Sequence, residues 1–597
     1  MNRNTEAHFA QLPSVNISRS KFDRSFTHKT TFNTGELVPV YVDPDIVPGD
    51  TVSMKQSEII RMMTPIAPVM DNSYMDFYWF FVPNRLVWDN FKMMMGENET
   101  APWTQTVEKT IPQIQIDTNG NNTISGVNYC TRDIKKGSVL NHMGIPMTNW
   151  TNAAESSANY KRTDISQLPT RAYCLIWNEF FRDENLQNPV NVPKTDTSAR
   201  LKNQYHADYI SDPDATQVSM AYLGGLPCLK VCKPHDYFTS CLPGAQKGPA
   251  VALPLSTEEL PIRYKWNGTG TKSWDGTIAG FTAGPEQHKN NATEEINAYG
   301  PDHEVHADYG YTKDDLSEYV LGPGTSTSIV PFTLYGDLSK ATGATVAALR
   351  TAFSIQKFYE RDARGGTRYI ENVKSHFGVT NPDFRLQRPE YLGGFRQRIN
   401  MNQVVQNSPL IENVSSTPLG TTGAYSVTTG QNSDVFTHSF TEHGILLGLC
   451  CIRTDHTYQQ GINRAWFKKK RLDFYSPEFA NLSEQAVLNQ ELYMQGTSQD
   501  KEAFGYQECW AEMRYMPDIC SGEIAGTYGQ TLQYWTYADY YSELPSLGNK
   551  WIQETDVNVG RTLAIQNHDQ FIADFYFGAI YTRPMPLYSI PGLIDHH

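Results

Sequence analysis

Met70-Asp71-Asn72-Ser73-Tyr74-Met75-Asp76-Phe77-Tyr78-Trp79-Phe80-Phe81-Val82, closed by Pro83, is the stretch whose reading decides the fold. Its aromatic and β-branched bias suits a pleated, buried surface, so it reads as a buried strand. The proline that follows cannot donate to a sheet ladder and ends it.

Outward from that strand, a short helix is expected at Leu86 to Met95. A second is expected over Thr170 to Asn185, where Ala172, Ile176 and Phe180 share a face and Asn188-Pro189 stops the helix. A third begins near Val346. There Val346, Leu349, Phe353 and Phe358 make one apolar stripe, Lys357, Arg361 and Arg364 favour the C-terminal end of the helix dipole, and Gly365-Gly366 ends it. This helix is expected to pack on the core. Strand-like runs follow at Asp434 to Phe440, Gly444 to Arg453, Gln530 to Tyr541 and Phe571 to Tyr581. Many short strands with few helices argue for an all-β sandwich or barrel.

A chain of 597 residues would hold roughly four domains at about 150 residues each. Yet glycine and proline are spread throughout, and neither a linker nor a repeat divides the chain. One large, loop-heavy body is expected, in four stretches. Residues 1–40 are a polar, basic N-terminal arm carrying Arg3, Arg19, Lys21, Arg24 and Lys29. Residues 41–253 and 344–597 form the first and second parts of the body. Residues 254–343 are an inserted surface excursion, with turn pairs Asn267-Gly268 and Asp275-Gly276 and an acidic stretch through Glu294, Glu295, Asp302, Glu304 and Asp308. Such an insertion is tolerable because each doubling of loop length costs only about 0.6 kcal/mol.

Charged residues make up 19% of the chain, against about 25% in an ordinary soluble domain, while aromatics reach 12%. That balance suits buried interfaces, whose cores lose charge and gain rings, and it suits an aromatic-rich β protein equally. The formal net charge of −14 excludes a surface that grips nucleic acid everywhere and confines any such contact to a patch. Met1 to Glu6 lacks an apolar core, so no secretory signal is expected. The longest apolar stretches, Gly444 to Ile452 and Phe77 to Val82, fall far short of the roughly 20 residues that span a bilayer, so no membrane insertion is expected. The reading is of a soluble chain made in a cytosol, and the 9 Cys, an odd number, indicate no disulfide framework.

The search for chemistry points away from an enzyme and from any cofactor. Gly268-Thr269-Gly270-Thr271-Lys272-Ser273 lacks the phosphate-loop spacing, His303-Glu304-Val305-His306 lacks that of a zinc helix, and no Gly-x-Ser-x-Gly elbow occurs. Cys228, Cys232, His235 and Cys241 offer the ligand count of a zinc site, but three prolines make a rigid loop there in which free cysteines would pack just as well. The densest basic cluster is Lys468-Lys469-Lys470-Arg471, flanked by Arg464 and by Trp466-Phe467. It fits a phosphate contact with rings available for base stacking, an import-like signal, or a solvated turn.

Several long strings carry a resemblance. They are Phe77 to Trp88, Lys233-Pro234-His235-Asp236-Tyr237-Phe238-Thr239-Ser240, Ile355-Gln356-Lys357 with Glu360 to Tyr369, Arg388 to Gly394, Thr457-Tyr458-Gln459-Gln460-Gly461, and Gly505-Tyr506-Gln507-Glu508. In these the chain resembles the major capsid proteins of microviruses, specifically the gokushovirus branch, along essentially its whole length. The resemblance implies an eight-stranded antiparallel viral jelly roll with very long inter-strand loops and a few helices. It implies assembly of sixty copies into a T = 1 icosahedral shell around a circular single-stranded DNA genome, in a bacterial cytoplasm. Implied partners are a small basic DNA-packaging protein, an internal scaffolding protein, a minor pilot protein and a receptor on the bacterial surface. It places the 254–343 excursion at three-fold protrusions and implies no zinc at the Cys/His loop. The basic residues of the arm, with Arg464 and Lys468 to Arg471, would then face the DNA or the packaging protein, and the acidic excursion would face outward. The competing reading is a phage spike or tail protein, or another receptor-binding β-rich protein.

Overall fold

The computed structural model describes residues 18–97, 109–117, 134–148, 161–196, 226–249, 346–364, 387–407, 419–526 and 531–588, with short segments at 123–124, 127–128, 158–159, 199–200, 218–219, 262–266, 299–300, 303–304, 332–336 and 375. Two compact units divide the chain: Met1–Ala245 together with Ala363–His597, and Gln246–Asp362.

The first unit is mostly β-sheet. Its principal strands are β1 (Ser20–Asp23), β2 (Phe26–Phe32), β3 (Val38–Ile46), β4 (Thr51–Met62), β5 (Ser73–Pro83), β6 (Glu390–Arg398), β7 (Thr428–Ser439), β8 (Gly444–Thr454) and β9 (Phe571–Arg583). One sheet runs β6-β5-β8-β3; in the other β9 is flanked by β4 and by β1 and β2, and β4 by β7. Every pairing among these strands is antiparallel.

The expected strand is β5, and its position explains its sequence. It lies between β6 and β8, paired to β8 without a slip from Gly444 opposite Pro83 to Thr454 opposite Ser73. Odd-numbered side chains face the second sheet: Phe77 meets Phe575 and Trp79 meets Phe577, both edge to face, with centroids at 5.8 and 5.7 Å. Even-numbered ones face away, yet are covered too. Tyr78 and Phe80 lie against Phe181 and Phe180, at 5.0 and 4.8 Å, on the turn of π-helix Trp177–Phe181 that continues helix α1 (Leu168–Ile176). A strand covered on both faces needs an unbroken apolar run rather than alternation. Among the described residues the second sheet is covered on one face only, so β4 alternates, burying Val52, Met54, Gln56, Glu58, Ile60 and Met62.

Rings dominate the space between the sheets. Tyr41 lies edge-on to Phe577 at 5.3 Å, and its hydroxyl meets that of Tyr581 at 2.7 Å. A bulge between Tyr391 and Gly393 bends β6 across β5, and Gly394 passes so close that a Cβ there would stand 2.2 Å from the Phe77 carbonyl oxygen. Two long connections leave the sandwich, residues 84–389 between β5 and β6 and 455–570 between β8 and β9. The second, with the 233–241 loop, builds a satellite core around Tyr237, Phe238, Tyr458, Val487, Phe504 and Trp551.

Several expectations need correction. Residues 20–32 are not a free arm, because β1 and β2 lie on β9 of their own chain; residues 1–17, with Arg3, lie outside the described residues. Leu86 to Met95 holds two short helices, Asn84–Val87 and Phe91–Met94. Described residues 531–541 carry a 3-10 turn at Gln533–Trp535 and no strand. Their backbone is satisfied singly, Tyr537 N–H by the Asp71 carboxylate at 2.7 Å and Asp539 N–H by the Thr457 carbonyl at 2.8 Å.

The described part of the second unit pairs Ile262–Trp266 with Phe332–Gly336, and Tyr299–Gly300 with His303–Glu304. Its helix, α2 (Val346–Arg364), begins and ends as expected. The stripe is not core-packed, however: Phe353 and Phe358 are 68% and 52% exposed. Most of 254–343, including its turn pairs and Asp302 and Asp308, lies outside the described residues.

Candidate nucleic-acid interface

The basic segment follows a short turn. Asn463 caps the 3-10 helix Arg464–Phe467, its side chain accepting from Ala465 N–H at 2.9 Å. Arg464 then turns inward, donating to the Ala486 carbonyl at 2.6 Å and to Glu491 Oε1 at 3.1 Å. Burial pushes the Glu491 carboxyl up and Arg464 pulls it back, so this arginine belongs to a structural pair. Lys469, Lys470 and Arg471 remain exposed. The Asp473 carboxylate accepts the backbone N–H groups of Lys469 and Lys470 at 2.8 and 2.7 Å, which holds its pKa below the ordinary value and folds the segment into a tight turn. Lys468 Nζ stands 5.5 Å from the Phe474 ring centroid, and Trp466 beside it is 83% exposed. Cations alternating with open rings can hold phosphates and stack bases.

The N-terminal basic residues split into different roles. Arg24 pairs with buried Asp43 at 2.5 Å and lies over the Tyr581 ring at 4.7 Å, so it closes one end of the sandwich. Lys29 pairs with Asp574 on β9 at 3.4 Å. Arg19 donates to Thr51 Oγ1 at 2.5 Å, and Lys21 is exposed on β1.

The Cys/His loop is not drawn together into a ligand set. Cys228 Sγ donates to the Gly137 carbonyl at 3.6 Å, Cys232 to Phe181 and Gln187 oxygens at 3.3 and 3.2 Å, and Cys241 to the Tyr237 carbonyl at 3.5 Å. Cys228 belongs to the sandwich core, Cys241 to the satellite core, and His235 is exposed. Burial pushes all three thiols up, Cys232 to about 12. Among the described residues no three His, Cys, Asp or Glu side chains gather as a metal site would need.

A different constellation escaped the sequence reading. Lys233, His456, Asp539 and Glu554 meet behind β8, almost wholly out of solvent. His456 Nε2 lies 3.0 Å from Glu554 and Nδ1 3.2 Å from Asp539; Lys233 Nζ lies 3.1 Å from Asp539. Asn558 and Tyr541 complete the Asp539 shell at 2.5 and 3.0 Å, and Thr454 donates to Glu554 at 3.2 Å. Burial works against an imidazolium, but the Glu554 and Asp539 charges outweigh it and hold His456 at about 10. The cluster therefore carries two cations against two carboxylates and clamps the 233 loop, the end of β8 and the 539–558 segment together.

Comparison with known proteins now decides the family. The chain matches the family described as Capsid protein (F protein) over residues 10–593. It is 37% identical to Capsid protein VP1 of Bdellovibrio phage phiMH2K, covering 99% of this chain and 98% of that protein. It is 35% identical to Capsid protein VP1 of Chlamydia phage 1 and of Spiroplasma virus 4, in each case over 98% of this chain and 97% of the relative. The chain belongs to the phage F capsid-protein family. The resemblance to gokushovirus major capsid proteins, drawn from the quoted strings, is borne out.

A capsid protein works as one of many copies in a shell. Met516 and Ile519 are 75% and 72% exposed. The clamp could not have been found by spacing, because its members stand far apart in the chain. The one signal was Lys233 inside a resembling string.

Proposed function

We propose that this major capsid protein assembles as sixty copies into a T = 1 shell around a circular single-stranded DNA genome, and that its sandwich is an eight-stranded jelly roll. Strand order carries the reading. Counting β2 to β9 as first to eighth, one sheet runs first, eighth, third, sixth, and the other second, seventh, fourth, fifth. That interleaving of early and late strands across two sheets is the double Greek key of a jelly roll, with β1 extending the first strand along β9. Lys468 to Arg471, with Trp466 and Phe474, face the DNA or a small basic packaging protein, joined by Arg19, Lys21 and Lys29. The ion pairs of Arg24 and Arg464 favour positioning roles for those two.

The 254–343 excursion contributes to three-fold protrusions and host attachment, a reading supported by its place in the chain. Scaffolding and pilot proteins act during assembly in the bacterial cytoplasm. No catalytic step belongs to this role. Electron microscopy of the expressed chain tests the proposal: closed shells of uniform small diameter are expected, and trimers or fibres would overturn it in favour of a spike or tail protein. Replacing Lys468, Lys469, Lys470 and Arg471 by Ser should lower genome retention with shells intact; unchanged packaging removes this segment from the interface.

A further inference from the structure

One long side of the sandwich is closed by two edge strands that belong to different sheets. β6 ends the first sheet and β7 the second, and they meet at three levels. At one end His438 Nε2 lies 3.4 Å from Glu390 Oε2, an ion pair only while the imidazole carries its second proton. In the middle the β6 bulge brings Gly393, at φ +148°, so close that a Cβ there would stand 3.1 Å from the Val435 carbonyl oxygen. At the other end Gln397 of β6 meets Gly430 of β7 over the Glu58 carboxyl. A Cβ on Gly430 would overlap Glu58 Oε1 and stand 3.3 Å from Gln397 Oε1.

This last level is short of donors. Glu58 and Gln56 are 2% and 1% exposed. Gln56 Nε2 donates to Glu58 Oε2 at 3.4 Å, and Gln397 Nε2 donates to the Arg398 carbonyl at 3.4 Å. Glu58 Oε1 and Gln56 Oε1 are left as buried acceptors without a partner, and Glu58 has no ion pair among the described residues. The groups packed around it are neutral. β9 places Phe575 opposite it, β5 contributes Met75 and Phe77 to the same core, and β8 contributes the Cys450 thiol, which burial pushes well above its ordinary value. A carboxylate in such a place gives up its hydration and gains no cation in return. A proton on Oε1 removes the charge and supplies the missing donor, with Gln397 Oε1 as an acceptor on that side. Burial accordingly raises the Glu58 pKa from 4.5 to about 7.

We propose that this seam is a proton-operated latch, in which the carboxylic acid of Glu58 and the imidazolium of His438 tie β6 to β7 and loss of the two protons loosens the edge. The connection between the two strands, residues 399–427 with the hairpin of Met401–Val405 and Thr422–Ser426, hangs from both of them. The latch therefore sets how firmly that connection is held, while the pairing of β5 with β8 does not depend on it. The inference stands apart from the genome-enclosing role.

Hydrogen exchange on the full-length unassembled chain tests it, with protection corrected for the intrinsic pH dependence of exchange. Opening the edge returns Glu58 to its ordinary value, so each pH unit between about 4.5 and about 7 weakens the closed form by up to about tenfold. From about pH 5 to about pH 8 the amides of 390–398 and 430–438 should lose about 50-fold in protection, and those of β5 and β8 should lose none. Glu58→Gln keeps the shape and a donor but cannot ionise, and should hold the seam's protection constant to within about 5-fold. The remainder belongs to the exposed His438 pair: Glu390→Gln should lower protection about 2- to 5-fold at the lower pH and leave it unchanged at the higher. Gln397→Leu, which removes the acceptor, should lower it about 5-fold at the lower pH.

Seam protection that stays constant in the wild type, or that falls equally in β5 and β8, would overturn the latch; this comparison needs no variant and holds even if Glu58→Gln fails to fold. An undiminished pH dependence in a folded Glu58→Gln chain would overturn the assignment to Glu58. Protection regained at about pH 8 on adding calcium chloride, in the wild type and not in Glu58→Gln, would mean that these oxygens hold a cation, and would overturn the proton as the operating ligand.

Discussion

Between its two sheets the capsid protein is held by rings; behind the first sheet, at the connection from β8 to β9, it is held by charges. Phe77, Trp79, Phe575 and Phe577 fill the sandwich by shape. Lys233, His456, Asp539 and Glu554 are joined by partnership instead, each buried charge tolerable only while the others are present. Shape-filled interiors tolerate the loss of a group gradually, whereas a charge clamp fails when one member leaves. The long loops of a shell protein therefore gain a definite position from the clamp that apolar packing alone would leave loose.

The largest expected effect comes from breaking the clamp. Asp539→Ala leaves Lys233 and His456 facing a single carboxylate and should lower stability by about 3–5 kcal/mol. Urea unfolding of the unassembled chain measures it, and a loss below about 1 kcal/mol would mean that the cluster is not holding the connection.

Acidity separates the two regions next. His456 has its pKa raised from 6.5 to about 10, so the folded state binds that proton more tightly; its stabilisation is complete below about pH 6.5 and is lost as pH rises through about 10. Glu58, buried between the sheets, has its pKa raised by burial from 4.5 to about 7, against a weaker opposing hydrogen bond from Gln56. Its contribution is complete below about pH 4.5 and is lost as pH rises through about 7. Stability should therefore fall in two windows; burial also raises Glu36, Asp50, Asp71 and Glu491, so Glu58→Gln should shrink the lower window without removing it and leave the upper one unchanged. A single window, or an unchanged profile in that variant, would contradict the assignment.

The smallest effect belongs to the sandwich. Tyr41→Phe removes one hydroxyl contact with Tyr581 and leaves the rings in place, so a loss of about 1 kcal/mol is expected in the same unfolding experiment.

Legibility from sequence follows the same division. The strands β5, β8 and β9 were readable because their apolar runs are long. β4 was missed because Gln56 and Glu58 occupy inward positions and interrupt its alternation. β2 reads as part of an arm because Thr27, Lys29 and Thr31 face outward on a sheet edge. The 531–541 segment misled in the opposite sense: Tyr537 is buried in the core, but its backbone joins no ladder. In α2 the apolar stripe was visible but not what would cover it. Of the candidate interface, Lys468 to Arg471 could be read as a local run, while the inward turn of Arg464 depends on pairings that only the fold supplies.

We propose that the sandwich is complete within one subunit, while neighbouring copies in the shell cover its exposed loop residues. Hydrogen exchange on unassembled subunits and on empty shells tests it most directly. The paired amides of β5 and β8 should be equally protected in both, and residues 511–519, with exposed Met513, Met516 and Ile519, should gain protection only in the shell. Full protection of that segment in the isolated subunit, or weak protection of β5 and β8 there, would contradict the claim.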